Sequence, residues 1–122
     1  MSLASLSKQN FQETVSKSGV VVVDCWAPWC QACKDFTPVF ESIAKSYPNH
    51  TFGKLDTEAD EALVSELGIS HIPSLLLYRD GVLLFQQPGY FDRDGLINII
   101  SQAEGLDMEL VRKDLESSQN PG

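Results

Sequence analysis

Val20 to Val23 are four consecutive valines, followed at a short distance by Trp26; such a run of β-branched residues predicts a strand over residues 20–26 that is covered on both faces. A different rhythm follows. Phe36, Val39, Phe40, Ile43, Ala44 and Tyr47 recur at helical spacing and predict a helix over residues 36–47, kinked where Pro38 interrupts it. Upstream, residues 3–6 suit a short strand, and Ser7 is placed to cap a helix over residues 8–17 that ends at Gly19. Residues 51–56 form the next strand and residues 59–67 a short helix stopped by Gly68. Two apolar stretches, 74–78 and 82–86, flank Arg79-Asp80-Gly81, the signature of a hairpin. Asp92 then caps a last core helix reaching residue 103, with Leu96, Ile97 and Ile100 facing inward. Strands separated by helices, with a hairpin last, predict an α/β fold: a central mixed sheet of four to five strands with helices on both faces.

The 122 residues divide into a domain over 1–104 and an extension over 105–122. Met108, Val111 and Leu115 give the extension one short amphipathic helix, docked on its own domain or offered to a partner, and polar residues 117–122 are expected to be disordered. A chain of this length buries about two-thirds of its unfolded surface and needs no disulfide staples. It has no run of about 18 apolar residues, and its first residues lack the charged start and apolar core of a secretory signal. The expectation is a soluble cytoplasmic monomer. A formal charge of -8 with no basic cluster repels phosphate backbones, so neither nucleic acid nor a membrane is an expected partner.

All three cysteines fall in one stretch, "VVVVDCWAPWCQACKDF". Cys30 and Cys33 stand where the buried strand gives way to a helix, whose unpaired N–H groups favour thiolate over thiol. Cys30 is therefore expected to be the exposed sulfur of lowered pKa, with Cys33 shielded one turn behind it. Such a pair can cycle: the first thiolate attacks a disulfide and the second resolves the mixed disulfide. Cys25 completes a C-x4-C-x2-C spacing that also fits a metal site, but a fourth cysteine is missing, and either His50 or His71 would have to stand in for it. Cys25 reads most simply as a small buried hydrophobe, pointing to the opposite face of the strand from Asp24. A carboxyl inside a valine strand is costly to ionise, so Asp24 is expected to hold its proton unusually well and to serve proton traffic beside the dithiol. Lys54 is expected to moderate that shift from a neighbouring strand.

Taken together, "VDCWAPWCQACK" and "GISHIPSLLLYRDG" resemble the active-site and proline-loop segments of the thioredoxin family, in one register over roughly residues 6–103. The resemblance implies a thioredoxin fold and a thiol-disulfide oxidoreductase with no bound cofactor or metal, acting on protein disulfides and recharged by a separate reductase. It also implies that Cys30 attacks, Cys33 resolves and Asp24 helps to deprotonate Cys33. Pro73 takes a cis bond, Ile72 offers main-chain hydrogen bonds to substrate, and Trp29, Ile72, Pro73 and Gly89 form an apolar rim. The alternative is a non-catalytic module that keeps the fold and binds a partner through the rim and the last helix. Gln31-Ala32 replaces the family's usual Gly-Pro, which alters the helix start and the redox poise. His71 stands where a small residue is common and is expected to touch substrate or the thiolate, and Tyr90 adds bulk to the rim.

Overall fold

A computed structural model describes residues 3–119, with side chains described through residue 116. The strand built on the four valines, β2 (Val20–Trp26), is the middle of a five-stranded sheet. It pairs in parallel with β3 (Thr51–Asp56), which pairs in parallel with the short edge strand β1 (Ala4–Leu6). On its other side β2 runs antiparallel to β4 (Ser74–Arg79), which forms a hairpin with β5 (Val82–Pro88). The sheet order is β1-β3-β2-β4-β5.

Both faces of β2 are covered, which explains why its side chains lack alternation. Val20 and Val22 meet Phe36, Phe40 and Ile43 of α2 (Gln31–Ser46) and Leu96 and Ile100 of α4 (Arg93–Glu104). Val21, Val23 and Cys25 meet Phe11 and Val15 of α1 (Phe11–Val15) and Leu63 of α3 (Glu61–Leu67) on the opposite face. The hairpin turn has positive φ at both Asp80 (51°) and Gly81 (84°), the backbone signs of the turn that matches strand twist. Asp80 also accepts the Gly19 N–H through its carboxylate, fastening the turn to the start of β2.

Three expectations change. The first helix starts at Phe11 and not at residue 8: the Ser7 carbonyl accepts from the N–H groups of Asn10 and Phe11, and the Asn10 side chain accepts from the Ser7 N–H, so residues 7–10 form a turn and Ser7 caps nothing. The helix that carries the apolar stripe reaches back five residues before Phe36 to Gln31, with Cys30 as its cap, as the placing of Cys30 and Cys33 at a helix start required; it continues past Pro38 to Ser46. Finally α5 (Met108–Gln119) runs into the stretch expected to be disordered, since no helix breaker precedes Pro121; residues 120–122 lie outside those described. Met108 is buried, and Arg112 donates to the Asp80 carbonyl at 3.0 Å, so α5 docks on its own domain near the hairpin turn. Among the described residues no helix is long and apolar enough to cross a membrane.

Candidate active site

Strand β2 delivers the chain to the site and α2 carries it away. Between them Cys30 is the N-cap residue of α2, in an extended conformation (φ -91°, ψ 111°), and its sulfur accepts the N–H of Cys33 at 3.1 Å. One free amide of the first turn thus points at sulfur. Cys30 and Cys33 are joined by a disulfide with their Cα atoms 5.2 Å apart. Only a narrow difference separates their access: Cys30 is 6% exposed and Cys33 1%. The expectation of an open leading sulfur is corrected to that extent, because Trp26 and Ile72 pack against the small cluster of Ala27, Cys30 and Cys33.

Asp24 and Cys25 sit on opposite faces of β2 as their alternation requires. Cys25 belongs to the cluster with Leu55 and Leu76, across the sheet from α2, and burial together with the charge of Asp24 pushes its thiol up to about 12. Asp24 is fully buried, and neither of its oxygens has a hydrogen-bond partner among the described residues. Burial pushes its carboxyl up to about 6, and the rise is held back by Lys54. The two residues are directly paired in the β2/β3 register, with Lys54 Nζ 3.6 Å from Asp24 Oδ2, an ion-pair contact longer than a hydrogen bond. The ammonium lies 4.9 Å from the centre of the Trp26 ring and donates to Thr37 Oγ1 at 2.6 Å. Thr37 in turn donates to the Cys33 carbonyl at 3.1 Å.

The loop before β4 supplies the facing wall. The Ile72-Pro73 bond is cis, and the Pro73 carbonyl accepts the Gly89 N–H at 2.8 Å, which ties the end of β5 to this loop. Gly89 has φ 123°, a conformation L side chains rarely adopt. Trp29, His71 and Ile72 come together with Thr57, Val64, Ile69 and Ser70 along an open groove of about 210 Å³. Trp29 is 66% exposed and its indole N–H donates to the Glu58 carboxylate. His71 is exposed, with Nδ1 at 3.0 Å from Ser70 Oγ, and Tyr90 packs edge-on against Phe36. The groove gathers Trp29, His71 and Ile72, whereas neither Pro73 nor Gly89 lines it. Sequence reasoning missed Thr37 and Glu58. Thr37 stands four residues after Cys33 on one helix, a spacing that could have flagged it; nothing marked Glu58.

A pair of cysteines three positions apart at a helix N-terminus, bonded to each other, defines a dithiol-disulfide redox couple, and the chain is a thiol-disulfide oxidoreductase. The thioredoxin family profile matches residues 2–102, so the chain belongs to the thioredoxin family. A Streptomyces coelicolor chain assigned as thioredoxin 2 is 44% identical over 118 residues, covering 97% of this chain and 88% of that one. Thioredoxin of Chlamydia muridarum is 39% identical over 97 residues, 80% of this chain and 94% of its own. The solved structure of a mutant thioredoxin from Halobacterium salinarum NRC-1 superposes with a TM-score of 0.78 at 28% identity, covering 86% of this chain and 92% of that one. The five-stranded mixed sheet flanked by helices is therefore a thioredoxin fold, at the upper end of the strand number expected.

Proposed function

We propose that the chain reduces disulfide bonds in protein substrates through the Cys30/Cys33 dithiol, and that a separate disulfide reductase returns the couple to its reduced form. The observation that carries this reading is the seat of Cys30, whose sulfur accepts an N–H of the first turn of α2, where amides and the helix dipole favour thiolate. The Cys30 thiolate attacks one sulfur of the substrate disulfide, and the other substrate sulfur leaves as a thiolate that takes up a proton. Cys33 then gives its thiol proton to the Asp24 carboxylate, and its sulfur attacks Cys30 Sγ. The Cys30–Cys33 bond forms and the second substrate sulfur departs and is protonated. The substrate has gained the two electrons that the pair has lost.

Asp24 suits this exchange because a carboxyl raised to about 6 takes and returns protons near neutrality. Lys54 is the catalytic partner that limits the rise. Trp29, Ile72 and His71 contact the substrate from the groove, Pro73 and Gly89 complete the rim, and the main chain of Ile72 offers an extended segment its hydrogen bonds. Residues 1–104 are the redox domain and 105–122 an extension that docks on it through Met108 and Arg112. The protein works as a monomer in the cytoplasm, where reductant is at hand.

The Cys33→Ala variant tests the assignment of the two sulfurs. Incubated with a protein disulfide substrate, it accumulates a mixed disulfide on Cys30 that mass spectrometry identifies. A folded variant that captures no substrate, or captures it at another cysteine, overturns the assignment.

A further inference from the structure

Asp24 poses a problem of geometry. A fully buried carboxyl has an ammonium within reach, yet neither of its oxygens receives a hydrogen bond. The Lys54 ammonium makes its short contact elsewhere, 2.6 Å from the Thr37 hydroxyl, and stays 3.6 Å from Asp24. Thr37 is held in place for this. Its hydroxyl proton is committed to the Cys33 carbonyl one helical turn back, which leaves its lone pairs free to accept from Lys54. The ammonium also lies over the Trp26 ring, 4.9 Å from its centre, so it is held from two sides and neither contact is Asp24.

We propose that Thr37 is a positioning residue of the redox site, whose hydroxyl holds the Lys54 ammonium at ion-pair distance from Asp24 and prevents it from closing to a direct hydrogen bond. The inference rests on the proton-transfer role given above to Asp24 and Lys54. Its chemical sense lies in the balance of two errors. A carboxylate in a direct charge-assisted hydrogen bond is too weak a base to take a proton from a thiol, and a buried carboxyl with no cation nearby holds its proton too firmly. The intermediate separation avoids both. Lys54 is the charge that acts on Asp24. Of the other titratable groups on the surrounding elements, Lys34, Asp35, Glu41 and Lys45 of α2 are exposed, Cys33 is held in the disulfide, Cys25 lies on the opposite face of β2, Asp56 ends β3, and Tyr78 and Arg79 lie at the far end of β4, whose facing residue, Leu75, is uncharged.

The test follows the Asp24 carboxyl by carbon-13 NMR between pH 4 and 9 in the disulfide form, with Asp24→Asn to identify its resonance. In Thr37→Val the ammonium loses its acceptor and closes on Asp24, lowering the midpoint by about one pH unit. Thr37→Ala, which removes the same hydroxyl with less bulk, gives the same displacement, and Thr37→Ser restores the wild-type value. The pH profile for resolution of the mixed disulfide moves to lower pH in parallel in both hydroxyl-free variants. Lys54→Met raises the midpoint. If Lys54→Met raises it while both hydroxyl-free variants leave it unmoved or raised, the positioning role of Thr37 is wrong and the pairing of Asp24 with Lys54 stands. If Lys54→Met leaves it unmoved, the pairing fails and the inference fails with it.

Discussion

At the scale of single residues, Asp24 works against the stability of the protein that contains it. Its carboxyl titrates at about 6 in the fold, against 3.8 for an ordinary aspartate, because burial penalises the charged form. Between those values the folded state holds more protons than the unfolded state, so stability falls as pH rises through that window and stays lower above it. A displacement of about two units corresponds to about 3 kcal/mol at neutral pH. Asp24→Asn removes the titration and keeps the shape. Urea unfolding at pH 4 and pH 7.5 therefore gives a stability drop in the wild type that exceeds the drop in the variant by about 2 kcal/mol, since an unfolded aspartate is already half ionised at pH 4. Equal drops would mean that Asp24 ionises in the fold as easily as in the unfolded chain. The oddity of an acid among valines was legible in the sequence, and so was its pairing with Lys54. The spacing of Thr37 from Cys33 was legible too, but its contact with Lys54 was not, because that side chain arrives from a strand 17 residues further on.

Elements were legible wherever one local cause set their limits. The limits of β2 and β3 coincide with the apolar patterns, and the hairpin turn follows from Asp80-Gly81. The start of α1 was misplaced because a serine before a helical pattern reads as a cap, whereas here the Asn10 side chain closes a turn around Ser7. What the local pattern could not reveal is the spacing between neighbours, and Gly53 is the clearest instance. It lies opposite Ala4 on one side and Val23 on the other. A Cβ added there would come within 2.8 Å of Leu6 Cδ1 and 2.9 Å of Leu6 Cγ. Leu6 is buried between β1 and the α1 face and has little room to yield. Gly53→Ala is therefore expected to lower stability by about 1–3 kcal/mol through overpacking, which thermal or urea unfolding measures. Because the extra methyl presses on the three-residue edge strand, amide exchange accelerates first at β1. A variant as stable as the wild type would show that β1 shifts at no cost.

For the molecule as a whole, the alternation of strands and helices was enough to place helices on both faces of a mixed sheet, since a parallel pair needs a crossover and a hairpin does not. The fate of the last helix was harder to read, because an amphipathic pattern states that a face will be covered and not by what. In the structure α5 is anchored on its own domain at its start, while Leu110 and Leu115 stay exposed. Met108 is buried, the Asp107 carboxylate accepts from the N–H groups of Glu109 and Leu110, and Arg112 reaches the hairpin turn. Arg79 donates to the carbonyls of Ala103, Glu104 and Leu106, binding the end of α4 and the connection to α5 to the sheet. These contacts gather where β4 ends, at Arg79, whereas the loop of Pro73 lies at its beginning. Five residue steps along a strand separate the two by about 17 Å. A chain cut after Gly105 thus loses the burial of Met108, about 2 kcal/mol, and keeps every contact of the redox site. Its melting temperature should fall while its rate of disulfide reduction per folded molecule stays unchanged. A folded truncated chain with a reduced rate would place α5 in the substrate path and join the extension to the redox domain as a working unit.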